Sequence, residues 1–160
     1  MSVGPIVYSV DTSALLDGLE RYYPEATFPA LWQRVDELIE TGRFFLSEEV
    51  WEEATVHDAA AKTWCDSRGK SILTIITDSA VAKEVASILA QFPKLVANMK
   101  GRNRADAFVI AVAKLRGAVV VTGEGADGTE GRPKIPYICQ QLGIPCVRFL
   151  DIVRTEGWRF

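Results

Sequence analysis

The sequence is poor in the sulfur- and nitrogen-containing side chains that bind transition metals. It has one histidine, two methionines and three cysteines in 160 residues. The histidine, His57, stands alone, and no two cysteines have C-x-x-C spacing, so a zinc site would lack donors. An odd number of unpaired cysteines is typical of reduced thiols in a cytosolic protein. The cysteines are Cys65, Cys139 and Cys146.

Excess positive charge and long apolar runs are also missing. Lysine and arginine number 18 against 21 aspartates and glutamates, which gives a formal net charge of −3. Because nucleic-acid-binding domains are typically basic, a polyanionic partner would have to meet a local patch or metal ions. No apolar run reaches the length of a membrane span, and no signal segment is recognisable. We expect a soluble, cytoplasmic protein with a single domain over residues 1–160.

What the sequence does contain is an alternation of strand and helix patterns. The predicted strands cover residues 6–10, 43–46, 72–77, 118–122 and 146–149. The main predicted helices cover residues 29–41, 78–92, 103–116, 135–142 and 150–155. The segments predicted as loops include residues 20–29 and 93–102. This alternation favours an α/β fold, a three-layer α/β/α sandwich with a mostly parallel central sheet.

The stretch from Asn103 to Glu124 joins a predicted helix to a predicted strand. Asn103 is placed to cap the helix, and Asp106 lies in its first turn, where a negative charge suits the helix dipole. The helix is apolar on nearly every face, so we expect it in the core. Gly117 ends it, and Glu124 comes just after the strand that follows. If these two ends lie together, two carboxylates stand above one edge of the sheet.

Two further acids are predicted near the same edge. Asp11 follows the first strand, and open α/β sheets bind ligands at the carboxyl ends of their strands. A simpler interpretation is that Asp11 or Thr12 only caps the next helix. Ser47 begins a helix with four glutamates in its first turns, and we expect most of them to be solvated and one, Glu53, to be a ligand.

Carboxylates crowded at one edge repel each other strongly unless a divalent cation neutralises them. Ligation by oxygen alone favours Mg²⁺ or Mn²⁺ over zinc. Such ions activate water and stabilise negative charge on a phosphoryl oxygen. Short hydroxyl side chains nearby are expected to orient the ligands or waters. These are Thr12, Ser13 and Thr122.

One basic cluster leads directly into Asp106. It comprises Lys94, Lys100, Arg102 and Arg104. The cluster is either a solvated loop or a set of phosphate contacts, and its position beside the predicted acids supports the second interpretation as much as the first.

The segment from Gly123 to Gly128 matches the G-x-G-x-x-G pattern but is not expected to bind a dinucleotide. Such a loop must open a helix whose amides hold the pyrophosphate. Here the continuation from Thr129 to Lys134 has no helical pattern and contains a proline. Glu124 and Asp127 in the loop would also repel a diphosphate.

Four separated segments form an ordered set. They are Val10-Asp11-Thr12-Ser13, Ser47-Glu48-Glu49-Val50-Trp51-Glu52-Glu53, Ala105-Asp106-Ala107-Phe108-Val109-Ile110-Ala111 and Val119-Val120-Val121-Thr122-Gly123-Glu124. The set resembles the motifs of the PIN-domain family of metal-dependent nucleases, including its S-x-x-[TV]-x-x-E and A-D-x-x-I-A patterns. The ending from Gly157 to Phe160 further resembles an uncharacterised PIN-like subfamily. One departure is Glu124, where the family usually has Asp or Asn, and Asp127 could replace it.

The resemblance implies a PIN-like fold and an endoribonuclease that depends on Mg²⁺ or Mn²⁺. Such proteins are often the toxin of a toxin–antitoxin pair and are usually homodimers. The acids that match the family's catalytic and metal-binding positions are Asp11, Glu53, Asp106 and Glu124. The residues expected to support them are Thr12, Ser13, Thr122 and Asp127. The candidate RNA contacts are Lys100, Arg102 and Arg104, and binding of one or of two metal ions stays open.

Two other functions compete with the nuclease. A phosphatase of the haloacid-dehalogenase class also places an aspartate after its first strand, but it needs a second aspartate two residues later, where this chain has Ser13. The other alternative is a non-catalytic RNA-binding or interaction module on a PIN-like fold. The presence of all four acidic positions argues against that second alternative.

Overall fold

A computed structural model describes residues 4–97 and 104–160. Its strands form one sheet in which every paired neighbour is parallel. The strands are β1 (Tyr8–Val10), β2 (Phe44–Ser47), β3 (Thr74–Ile75), β4 (Val119–Val121) and β5 (Cys146–Val147). Their order in the sheet is β3-β2-β1-β4-β5, which puts β1 at the centre.

Helices connect the strands and flank the sheet. They are α1 (Thr12–Leu16), α2 (Pro29–Glu40), α3 (Glu48–His57), α4 (Ala59–Arg68), α5 (Lys70–Leu73), α6 (Ser79–Gln91), α7 (Pro93–Ala97), α8 (Asp106–Arg116), α9 (Ile135–Leu142) and α10 (Phe149–Thr155). A π-helical segment, Asp17–Tyr22, continues α1. The predicted three-layer α/β/α sandwich with a parallel sheet is therefore confirmed. No helix among the described residues is both long and apolar enough to cross a membrane.

The predicted core helix is α8. Nearly all of its residues from Asp106 to Ala113 are buried, and the helix packs against β1, β2, β4 and α6. The Ser9 hydroxyl in β1 donates a 2.9 Å hydrogen bond to the carbonyl of Val109, which ties the helix to the central strand. Gly117 ends α8 with a φ of +63°, a left-handed conformation that glycine adopts at little cost. Asn103, the predicted cap, lies outside the described residues.

Several predicted boundaries were wrong. Phe149 opens α10 instead of ending β5, because its ring packs against Trp32 and Tyr23 while Asp151 accepts a 2.9 Å hydrogen bond from the backbone N–H of Arg148. Part of each predicted loop is also helical, since Glu20 to Tyr22 belong to the π-helical segment and residues 93–97 form α7. The sequence patterns did not predict α4 and α5.

Candidate functional site

A cleft of about 740 Å³ contains all four predicted acids. Two of them follow the carboxyl ends of the adjacent strands β1 and β4, a third is the first residue of α8, and the fourth lies in the middle of α3. The acids are Asp11, Glu53, Asp106 and Glu124. Asp11 and Glu124, the first and last of the four acids, are 113 positions apart in the sequence (124 − 11). The fold brings them together in one cleft.

Asp11 is anchored at the centre of the sheet. Its backbone N–H donates a 2.9 Å hydrogen bond to the carbonyl of Val121, and its Oδ2 accepts hydrogen bonds from the hydroxyls of Ser13 (2.6 Å) and Thr122 (3.0 Å). Burial raises the pKa of Asp11, although hydrogen bonds from the hydroxyls of Ser13 and Thr122 and from the backbone N–H groups of Thr12 and Ser13 oppose that shift. The two hydroxyls lie 3.3 Å apart and bind the same carboxylate oxygen.

The loop after β4 carries the second acid. The backbone N–H of Gly123 donates to the Ser13 hydroxyl at 2.9 Å, and that of Glu124 donates to the Thr122 hydroxyl at 3.1 Å. Oε2 of Glu124 accepts a 2.8 Å hydrogen bond from the backbone N–H of Ile135, the first residue of α9. Burial is the main cause that raises the pKa of Glu124. The same hydroxyls that bind Asp11 therefore also shape the loop that holds Glu124.

Asp106 is the acid of the site whose pKa is affected by all three of the others. It is the first residue of α8 and is buried. Burial, followed by the negative charges of Asp11, Glu124 and Glu53, raises its pKa from 3.8 to about 9. Each of the other three acids therefore lies within electrostatic reach of Asp106.

Glu53 is the acid of α3 that lines this cleft. Glu48 and Glu49 have other partners, because their carboxylates accept hydrogen bonds from the backbone N–H and the hydroxyl of Thr77 at 2.9 and 2.7 Å. Glu52 is exposed. Of the four glutamates, Glu53 alone lines the larger cleft. The prediction that most of them are solvated was wrong for Glu48 and Glu49, which are half-buried because they bind Thr77.

The structure places Asp127 and Arg104 outside the larger cleft. Asp127 is exposed, does not line the cleft and forms a 2.9 Å ion pair with Lys134. Lys100 and Arg102 lie outside the described residues. Arg104 is exposed and lines a smaller adjoining cleft of about 370 Å³.

The sequence analysis missed four charged residues of the larger cleft. They are Asp17, Glu20, Arg21 and Asp58. The first three belong to the π-helical segment, and Glu20 and Arg21 were missed because the sequence analysis predicted a loop from residue 20. Asp58 caps α4 by accepting a 2.8 Å hydrogen bond from the backbone N–H of Ala61, so its capping pattern was the available signal.

The donor chemistry of the cleft fits a hard divalent cation better than zinc. The four acids supply oxygen only, and the one histidine in the lining, His57, is exposed. The Oγ1 of Thr12 is buried and has no hydrogen-bond partner within the described residues. Across residues 4–97 and 104–160, no three His, Cys, Asp or Glu side chains stand in an arrangement that could hold a metal ion as they are placed.

Fold and site together define an α/β protein with a carboxylate cleft at the carboxyl edge of a parallel sheet. The chain belongs to the family described as a domain of unknown function, DUF4411, whose model matches residues 8–160. No curated protein matches the sequence. The family match includes Asp11, Glu53, Asp106 and Glu124.

Proposed function

We propose that this protein is a Mg²⁺- or Mn²⁺-dependent endoribonuclease of PIN-like type that hydrolyses phosphodiester bonds in RNA. The observation that supports this most directly is the convergence of Asp11, Glu53, Asp106 and Glu124 on one cleft. Burial in this cleft, together with the charges of the other three acids, raises the pKa of Asp106 to about 9. Buried acids that lie close together are costly to ionise, and such a group of acids is expected where a cation binds and neutralises them.

The four acids would hold the metal, which lowers the pKa of water and stabilises negative charge on a phosphoryl oxygen when it is bound. Asp11 is preoriented for ligation by the hydroxyls of Ser13 and Thr122. Because no three acids among the described residues are placed to share an ion as they stand, metal binding would require rotation of carboxylate side chains toward the ion. Such a rotation is favoured because the cation removes the repulsion among the acids.

Cleavage of a single-stranded RNA of mixed sequence tests the proposal. We expect cleavage with Mn²⁺ or Mg²⁺ and none with EDTA. Asp106→Asn should lower the cleavage rate by a factor of at least about 100 while the circular dichroism spectrum remains that of the wild type, because the variant removes a ligand charge but retains the shape of the side chain.

Asp66→Asn is the matched control. Asp66 is an exposed aspartate that pairs with Lys62 at 2.6 Å and does not line the cleft, so its variant should cleave at the wild-type rate. Cleavage by Asp106→Asn at the rate of this control would contradict the proposal. RNA binding by the wild type with no cleavage under any metal would favour the non-catalytic module instead.

A further inference from the structure

An arginine that the proposed mechanism does not use lines the cleft together with the acids. Arg21 belongs to the π-helical segment, and its Nη1 lies 3.2 Å from Oδ1 of Asp17. The Arg21 side chain is 69% exposed, whereas that of Asp17 is 16% exposed. Asp17 is therefore the more buried partner of the ion pair, and the guanidinium of Arg21 remains accessible to solvent and to a ligand.

Asp17 in turn is packed against the loop that carries Glu124. Gly123 provides the space for it, because a Cβ at this position would overlap Oδ2 of Asp17 and would lie 3.3 Å from the Ser13 hydroxyl. The Ser13 hydroxyl is the group that donates to Asp11. Arg21 is thus connected to the acids of the site through Asp17, Gly123 and Ser13. Its position in a π-helical segment is a second indication, because such segments occur frequently at functional sites.

Thr12 supplies an independent indication that a ligand enters the cleft. Its side chain is 7% exposed and lines the cleft, and its Oγ1 lacks a hydrogen-bond partner within the described residues. A buried hydroxyl without a partner is costly. After rotation of the Thr12 side chain, an oxygen-rich ligand such as a phosphodiester would accept the hydrogen bond that this hydroxyl lacks.

The smaller cleft extends this site in a second direction. Glu53 and His57 line both clefts, so the two share a wall, and Arg104 lines the smaller one. Arg21 and Arg104 therefore lie in adjoining clefts. Two cationic side chains in adjoining clefts fit different phosphates of one strand better than the single phosphate of a free nucleotide.

We propose that Arg21 binds a backbone phosphate next to the one that is cleaved, so that the site accepts a single polynucleotide strand and not a mononucleotide. This inference rests on the proposed function for the identity of the cleaved bond. Asp17 holds the guanidinium in position, and Arg104 meets the strand in the adjoining cleft. Arginine suits the role because its planar guanidinium can donate two hydrogen bonds to one phosphate.

The test compares Arg21→Ala with Arg34→Ala as a matched control. Arg34 is also an exposed arginine in a helical ion pair, with Glu37 at 3.3 Å, but it lines neither cleft. Binding of a fluorescent single-stranded RNA is measured by anisotropy over a range of salt concentrations, with Ca²⁺ replacing Mn²⁺ so that binding is recorded before cleavage. Gel electrophoresis of the same samples verifies that the RNA is intact.

For Arg21→Ala we expect the dissociation constant to rise roughly tenfold. The slope of log affinity against log salt should become shallower by about 0.7, the contribution of one phosphate contact on a single strand. Arg21→Lys should preserve the slope because it retains the charge. In cleavage assays, Arg21→Ala should raise KM and leave kcat within about twofold, as expected for loss of uniform binding.

Equal binding and equal salt slopes for Arg21→Ala and Arg34→Ala would overturn the inference, as would a lower melting temperature of Arg21→Ala with an unchanged slope. Absence of RNA binding by the wild type would overturn it as well. If the wild type binds RNA but does not cleave it with Mn²⁺, the proposed function fails, while the comparison of binding still decides the role of Arg21.

Discussion

At the scale of single residues, Asp106 makes the stability of the metal-free protein depend on pH. Its pKa is about 9 in the fold and 3.8 in the unfolded chain, so between these values the folded protein keeps a proton that the unfolded chain has released. The free energy of unfolding should therefore fall as pH rises through this window, by about 1.4 kcal/mol per pH unit for this one proton.

Asp106→Asn removes this titration and tests it. In EDTA, the melting temperature of the variant relative to the wild type should increase as pH is raised from about 5 to about 9. Addition of Mn²⁺ at the upper end of this range should stabilise the wild type more than the variant, because only the wild type offers the Asp106 carboxylate to the ion. A melting temperature difference that does not change with pH would mean that Asp106 is not protonated in the fold.

Glu124 and Asp127 illustrate how two neighbouring acids acquire different environments. Glu124 lines the cleft, whereas Asp127 is exposed and paired with Lys134. We expect Glu124→Gln to reduce RNA cleavage by at least about tenfold and Asp127→Asn to change it by less than about twofold, because a screened surface ion pair contributes little. Initial rates with Mn²⁺ measure both. The reverse order of effects would make Asp127 the fourth acid.

At the scale of elements, Gly123 lets the π-helical segment approach the loop after β4. Gly123→Ala places a Cβ against Asp17 and Ser13, so the loop or the segment must shift. We expect a loss of about 1–3 kcal/mol in the free energy of unfolding and a reduced cleavage rate, because Glu124 moves with the loop. Urea unfolding and initial rates measure the two effects.

Gly131→Ala is the control for this substitution. Gly131 lies in the same loop, and a Cβ there would meet only the Thr129 hydroxyl at 4.0 Å. This variant should retain wild-type stability and activity. If Gly123→Ala behaves in the same way, the close approach of Asp17 to the loop is not needed for the site.

At the scale of the whole molecule, stability and the proposed activity depend on opposite ends of the sheet. At the amino end, Oε2 of Glu156 accepts hydrogen bonds from the phenol of Tyr8 and from Nη2 of Arg43, each at 2.7 Å. Nε of Arg43 donates to the carbonyl of Ile6 at 2.8 Å. This network joins the end of α10 to β1 and β2, away from the acids at the carboxyl end.

Glu156→Gln should therefore reduce stability without reducing catalysis. We expect a loss of about 2 kcal/mol in the free energy of unfolding by urea, because Arg43 keeps a half-buried charge without its partner. Glu40→Gln, which changes an exposed glutamate at the end of α2, should be neutral. Loss of RNA cleavage by folded Glu156→Gln at moderate temperature would contradict this separation.

Local sequence patterns predicted the layers of the fold because strand and helix periodicities act over a few residues. The sequence places Asp11 and Glu124 just after two predicted strands. Because strands joined by helical crossovers run parallel and end at one edge of the sheet, it was predictable that these two acids would lie at the same edge. The boundary at Phe149 was not predictable in this way. Its apolar ring fits a strand pattern, and only packing against Trp32 and Tyr23 places it in a helix.

The sequence by itself determined that acids would gather at the carboxyl edge of a parallel sheet, because their positions at strand ends and helix starts follow from local periodicity. Only the tertiary structure decided which further side chains enter the cleft and which stay outside it. It directed Glu48 and Glu49 to Thr77, left Asp127 in solvent and brought in Asp17 and Arg21. The physical reason is that side-chain direction depends on hydrogen bonds and contacts between segments distant in the chain, which no local pattern contains.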